Sequence, residues 1–483
     1  MRLSSAGILL AATALGCATP LSTVPDTASA AGPRPTIQVA TDPVAPADPE
    51  LDRAPQTGPW IGAAGLSDLV MAGTSETMLG VWVDVPAGAK QAVPSSAVAL
   101  VVDTSGSMGG AKIEHARSAA IALVDRLSNG DLVGLYSFSD ETQERLPLTP
   151  LSSSTRPTFL SAVASLTPSG GTNLFDGLRS GEKAVFAAPG THPVKRVVLI
   201  SDGKANVGPS SADVLGELAA RGSQHGIQVT AVGVGLDYDE STLNALAVRS
   251  SGRLYHMSEP RELSAILQQE MGLLKATAAT DAFVEIVPAP GVEILGVENV
   301  HSMPSNGGVR VRLGSMYAGQ HQDMLVRVRV TASADGSHPL ASVRLHFRDP
   351  SDGNLERVQE TVARYQLTRD ASEIARHENA RTREILAVNE AGKVTVAAAE
   401  KAAKGDVDSA ARDLAKAEEQ LLAKAKAARD EEERKRITAS ATNIQKARKA
   451  TEAAAAAPAA ARPAAARAAA LEANQAQMRN MGR

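Results

Sequence analysis

The sequence predicts an α/β protein: a doubly wound, mostly parallel sheet with helices on both faces, an adjoining antiparallel β-sandwich and a C-terminal α-helical hairpin. Three observations carry this. Between residues 96 and 276, apolar runs such as Val98-Ala-Leu-Val-Val102 alternate with segments of helical spacing, which is the signature of repeated βα units. Between residues 281 and 365 the helical spacing vanishes, and Val309, Val311, Leu313 or Met324, Val326, Val328, Val330 alternate with polar partners, the period of strands wet on one face. From residue 371 to 450 the chain turns to Ala, Glu, Lys and Arg, broken at Gly405-Asp406, as two antiparallel helices would be.

The N-terminus reads as an export signal, residues 1–17. Arg2 precedes the apolar run Ala6-Gly-Ile-Leu-Leu-Ala-Ala-Thr-Ala-Leu15, too short to cross a bilayer of ~30 Å. The run ends at Gly16-Cys17, and Cys17 is the sole cysteine of 483 residues. A lone cysteine excludes a disulfide framework and a thiolate metal centre. Ala14-Leu15-Gly16-Cys17 resembles a bacterial lipobox, which implies lipidation at Cys17 and a lipid anchor as the sole membrane attachment. Ala18 after the cysteine implies, by the same resemblance, the outer membrane. A rival cleavage site, Ala28-Ser-Ala30, lies far beyond the apolar core.

Residues 18–59 are rich in Pro, Ala, Thr and Asp without any period, a disordered tether able to reach roughly 120 Å when extended. Residues 60–95 hold at least one strand, with Leu79, Val81, Val83 and Val85 alternating. That strand has no partner nearby in sequence, so it is expected to join the sandwich of residues 281–367, with the α/β domain of residues 96–276 inserted between. Within the latter, helices are expected over 112–127, 161–166, 174–186, 212–224, 240–248 and 259–274. The helical hairpin spans 371–450. Beyond it, 451–483 has little apolar bulk and two prolines, Pro458 and Pro463, and is expected to be a disordered tail.

Composition narrows the function. Lys+Arg of 49 against Asp+Glu of 53 gives a net charge of −4, and aromatics are 3%, which speaks against nucleic-acid binding. A nucleotide is unexpected too: the segment from Gly106 to Lys112 lacks the Gly-Lys-Ser/Thr ending of a phosphate loop. His377-Glu-Asn379 lacks the second histidine of a zinc protease motif.

The chemistry concentrates in three loops. The first strand ends in Asp103-Thr-Ser105-Gly-Ser107; a later loop reads Gly170-Gly-Thr172-Asn; and Val197-Val-Leu-Ile200 runs into Ser201-Asp202-Gly. All three fall at carboxyl ends of predicted parallel strands, the edge where open α/β sheets bind ligands. Two carboxylates and three hydroxyls make a hard oxygen set, suited to Mg²⁺ or Mn²⁺ and less to zinc.

These five residues, Asp103, Ser105, Ser107, Thr172 and Asp202, resemble the complete metal-ion-dependent adhesion site of the von Willebrand factor type A family. The resemblance covers about 180 residues, from 96 to 276. It implies a divalent cation (Mg²⁺, or Mn²⁺ or Ca²⁺) with one open coordination position, completed by an acidic residue of a partner protein. The flanking β segments are similar to type A proteins that carry a β domain beside the metal domain, such as bacterial surface proteins and inter-alpha-trypsin-inhibitor heavy chains. Around the metal, residues 139–144, 204–209 and 236–240 are the expected specificity loops.

The reading is therefore an extracytoplasmic, lipid-anchored binding protein rather than an enzyme. The alternative is an envelope assembly or structural factor acting through its C-terminal helices. A remoter one is a serine hydrolase with Ser107, Asp202 and His256, which follow the nucleophile–acid–base order of hydrolases. It lacks the glycine that opens a nucleophile elbow, since Ser105 stands there, and it leaves Asp103 and Thr172 without roles.

Overall fold

The computed structural model describes residues 60–86, 93–235, 238–257, 263–298, 300–428 and 431–481. Cys17, the apolar run before it and the Pro-rich segment through residue 59 lie outside the described residues.

Three strands come first: β1 (Trp60–Gly65), β2 (Leu69–Met71) and β3 (Gly73–Asp84). The α/β unit then contributes β4 (Ser96–Asp103), β5 (Leu132–Phe138), β6 (Thr142–Pro150), β7 (Val194–Ser201), β8 (Ile227–Val234) and β9 (Arg253–Met257). They form one sheet in the order β6-β5-β4-β7-β8-β9, parallel except for β6. Every residue of β4 is buried because helices cover both faces. Val98, Leu100 and Val102 pack under α1 (Ala111–Arg126), α2 (Arg156–Ala164) and α6 (Leu263–Lys275). The alternate residues Ala97, Ala99 and Val101 pack under α3 (Leu174–Phe186), α4 (Ala212–Ser223) and α5 (Glu240–Arg249). Period-two alternation thus feeds two cores from one apolar run.

β6 was not foreseen: its sequence, Thr-Gln-Glu-Arg-Leu-Pro-Leu-Thr-Pro, is polar with two prolines. Such a strand is tolerated at a sheet edge, where one side needs no ladder. The strand order reverses between β4 and β7, so a crevice opens at their carboxyl ends.

The chain then builds β10 (Thr277–Pro288), β11 (Val292–Glu298), β12 (Ser302–Ser305), β13 (Gly308–Tyr317), β14 (His321–Ala332), β15 (Ser337–Asp349) and β16 (Leu355–Thr368). These make two sheets, β1-β3-β14-β11 and β12-β13-β10-β15-β16-β2. β3 pairs antiparallel with β14 from Gly73↔Ala332 to Asp84↔His321. Strands from before and after the α/β unit therefore share a sheet, and Leu79, Val81 and Val83 meet Val284, Ile286 and Leu345 in one core. Where the two parts touch, the fully buried Arg196 of β7 donates to the Tyr317 hydroxyl of β13 and faces Glu270 of α6 at 3.5 Å.

The C-terminal region departs from the expected hairpin. After the short α7 (Ala371–Ile374) come four helices: α8 (Ala380–Ala403), α9 (Val407–Lys426), α10 (Glu431–Ala456) and α11 (Arg462–Asn480). Each packs on two others in the cycle α8, α9, α10, α11, so the hairpin is a four-helix bundle. The segment 451–483, expected to be disordered, instead completes α10 and forms α11. Its alanines bury against one another: Ala454, Ala466, Ala469, Ala473 and Ala476 all enter the bundle core. Small residues suffice when helices approach closely and Leu414, Leu421, Ile437 and Ile444 of α9 and α10 already supply the bulk. Pro463 lies in the first turn of α11, where a missing N–H costs nothing. Leu471 and Met478 of α11 reach beyond the bundle into the core under α5.

Candidate metal centre

The crevice between β4 and β7 is lined from three loops. After Asp103 the chain makes a single 3₁₀ turn, Gly106–Met108, pinned by the fully buried Met108 side chain in the core below. That turn sends the Ser105 and Ser107 hydroxyls to the same side, 3.0 Å apart. Ser107 donates its own proton to Oδ1 of Asp202 at 2.7 Å, so Ser105 is the donor to Ser107. Asp103 is fully buried and doubly held: Oδ1 accepts the Ser105 amide at 2.8 Å and Oδ2 the Ser201 hydroxyl at 2.6 Å.

Thr172 arrives from the second loop. Its amide donates to Oδ1 of Asn206 at 2.7 Å, and its carbonyl accepts the Asn206 amide at 3.1 Å. Gly106 N–H donates to the Gly170 carbonyl at 3.0 Å, which clips this loop to the first. Gly170 has φ +71°, and a Cβ there would collide with the Asp140 carboxylate, so only glycine fits. Gly203 sits between the remaining hydroxyls: a Cβ on it would lie 3.4 Å from Thr172 Oγ1 and 3.7 Å from Ser107 Oγ. The five sequence-predicted residues therefore meet at one point. Four of them, Asp103, Ser105, Thr172 and Asp202, are buried, while Ser107 is exposed.

Electrostatics at the centre favour positive charge. Burial raises the Asp103 carboxyl above its ordinary range, hydrogen bonds from Ser201 and Ser105 pull it back, and Asp202 adds repulsion. The donor set of two carboxylates and three hydroxyls fits a hard divalent ion. Among the described residues no group of three or more His, Cys, Asp or Glu is arranged to hold a metal ion.

Sequence reasoning missed four residues that hold this centre. Lys112 pairs with Oδ2 of Asp202; Ser201 holds Asp103; Asn206 holds Thr172; and Asp140 accepts the Gly171 amide at 2.9 Å. Ser201 could have been found as the residue beside Asp202. Asp140 and Asn206 lie within two of the expected specificity loops, and Lys112 lies outside them. Two of the expected specificity loops do border the centre: the Ser139 carbonyl accepts the Asn173 amide at 2.7 Å, and Asn206 and Val207 both donate to the Thr172 carbonyl. Of the third, Leu236 and Asp237 lie outside the described residues.

The hydrolase arrangement is not formed. A triad needs the base between serine and acid, whereas Ser107 donates directly to Asp202. His256, on β9, lies against the Tyr238 ring with centroids 5.7 Å apart.

Fold and crevice together define a class. Residues 97–269 match the von Willebrand factor type A domain family, and this part of the chain is a type A domain with the Rossmann-like α/β fold. Among curated proteins, the chain is similar to an uncharacterized protein of Synechocystis, 24% identical over 274 residues, covering 54% of this chain and 64% of that one. It also resembles the E3 ubiquitin-protein ligase WAV3 of Arabidopsis thaliana (24% identical; 52% of this chain, 33% of that). Human inter-alpha-trypsin inhibitor heavy chain H4 is 27% identical over 255 residues, 51% of this chain and 26% of that one. The chain thus spans under two thirds of the length of each. Among solved structures, a von Willebrand factor type A protein from Catenulispora acidiphila shares the fold with TM-score 0.66, at 17% identity, over 82% of this chain and 91% of that one.

Proposed function

We propose that this protein is an extracytoplasmic, lipid-anchored binding protein whose type A domain captures an acidic residue of a partner protein through a divalent cation. The observation that carries the reading is the convergence of Asp103, Ser105, Ser107, Thr172 and Asp202 from three loops at the sheet's switch point. Ser105, Ser107 and Thr172 would hold Mg²⁺ through their hydroxyls, with Asp103 and Asp202 balancing its charge. When bound, the cation supplies an electrophilic point that attracts one carboxylate. The exposed position of Ser107 leaves the centre open on one side, and the bordering loops at Ser139 and Asn206 are placed to read the surroundings of that carboxylate. Anchoring at Cys17, export and an outer-membrane location rest on the N-terminal sequence alone. That a partner supplies the acidic residue rests on the family resemblance.

The test is capture from an envelope extract with Mg²⁺, with EDTA, and with the Asp103→Ala variant. The reading predicts one set of proteins retained with Mg²⁺ and lost in both other arms. Capture that survives EDTA and Asp103→Ala places the function elsewhere, with the helical bundle the next surface to examine. Fatty-acid labelling of the wild type but not of Cys17→Ser checks the anchor separately.

A further inference from the structure

A cleft of about 390 Å³ opens where the type A domain, the β domain and the helical bundle meet, and none of the five metal-centre residues lines it. Such a volume is at the small end of ligand pockets, roughly 300–1,000 Å³. One wall is apolar, with Leu273 of α6 and Val388 of α8; the rest is polar and carries arginines from three different elements, Arg253, Arg436 and Arg479.

The charges around the cleft do not cancel. His321 lies opposite Asp84 in the β3–β14 register and pairs with it and with Asp323, the latter at 2.7 Å. Burial opposes protonation of this imidazole, yet the two aspartates push its pKa up to about 9, so it counts as a cation at neutral pH. Arg381 reaches Asp323 at 3.3 Å and Glu384 at 3.1 Å. Arg436 reaches Glu384 at 2.9 Å, and Arg479 pairs with Glu472. Four cations thereby meet four carboxylates. Arg253 is the fifth cation. It is half-buried over the Tyr317 ring, 5.3 Å from its centroid, and among the described residues it has no carboxylate partner. Nearby, Asn480 uses its Oδ1 to accept from Asn443 at 2.8 Å, while its Nδ2 is buried with no acceptor.

A partly buried guanidinium without a counter-ion and a buried amide without an acceptor both lack the same thing, a negatively charged oxygen. We infer that this cleft binds a small organic carboxylate, its charge on Arg253 and Asn480 and its short apolar stem against Leu273 and Val388. One excess charge and a planar, forked donor favour a monoanionic carboxylate over phosphate, which would bring more charge than the cleft leaves unmatched. Because the wall residues come from all three parts of the chain, an occupant would also brace them against one another.

Butanoate titrated into the full chain by calorimetry, with melting temperature followed in parallel, tests this. Saturable binding and a melting temperature rising with concentration are expected. Arg253→Met should weaken binding at least ten-fold. Asn480→Asp, which adds the missing negative charge to the same cleft, should raise the melting temperature without ligand and weaken binding ten-fold or more. That second variant decides the matter if Arg253→Met folds poorly. No binding by the wild type, an unchanged response in Asn480→Asp, or tighter binding of inorganic phosphate than of butanoate overturns the assignment.

Discussion

The ammonium of Lys112, in the first turn of α1, forms an ion pair with Oδ2 of Asp202, whose other oxygen accepts the proton of Ser107. The carboxylate is fully buried and the lysine about one-third exposed. A flexible cation thus stands beside the carboxylate that would balance a bound metal. Lys112→Met should remove this competition and tighten Mg²⁺ binding a few-fold, an effect on the order of 1 kcal/mol. The metal-free variant should melt lower than the wild type, because Asp202 is left beside Asp103 without compensation. Melting curves across a Mg²⁺ titration read both effects; equal affinity in the two proteins would show that Lys112 does not compete.

The metal itself should stabilise the fold by mass action, by ~2.7 kcal/mol at a hundred times Kd. Asp103→Ala and Asp202→Ala should abolish the gain. Ser105→Ala and Ser107→Ala should only reduce it, since water can replace a neutral hydroxyl. An unmoved melting curve with both Mg²⁺ and Mn²⁺ would mean the centre holds no cation.

Glu182 gives a pH dependence of its own. It is buried in α3, its Oε1 has no hydrogen-bond partner among the described residues, and burial raises its pKa to about 8 although Arg221 pulls the other way. The folded state therefore holds a proton that the unfolded chain releases at its ordinary pKa near 4.5. Stability should fall as pH rises from about 4.5 through about 8, by a few kcal/mol at most. Glu182→Gln should flatten that fall. Urea unfolding at pH 5 and pH 8 compares the two slopes, and parallel slopes would sink the assignment.

His321 works in the same sense, over a higher pH range. Despite its burial, Asp323 and Asp84 hold its pKa near 9, above the unfolded value of 6.5. Its contribution is fully present below pH 6.5 and is lost as pH climbs through 9. His321→Gln should accordingly be destabilised at pH 6, with the deficit shrinking by pH 10.

The C-terminal helix should prove integral to the fold. Leu471 and Met478 are almost fully buried in the core beneath α5, and Asn474 donates to Glu240 there. Leu471→Ala should cost about 2–5 kcal/mol, and limited proteolysis of the wild type should leave α11 attached. Ready trimming back to α10 would mean that the helix does not stay docked.

What the sequence determined by itself is the part where local chemistry and local period agree. Val98 to Val102 has the continuous apolar pattern of a strand buried on both faces, and the Asp-x-Ser-x-Ser turn, Thr172 and Asp202 announce a hard-ligand centre by residue type and position at strand ends. Tertiary structure decided the rest, for reasons of partnership. An alanine helix such as α11 has no apolar face strong enough to be read in isolation; it is ordered because two other helices, α8 and α10, and the type A core complete its surroundings. The polar β6 is a strand only because β5 offers a free edge. Lys112, Asn206 and Asp140 carry no motif, since the atoms they hold come from other loops. The unmatched charge of Arg253 likewise exists only where three separately encoded parts of the chain are folded against each other.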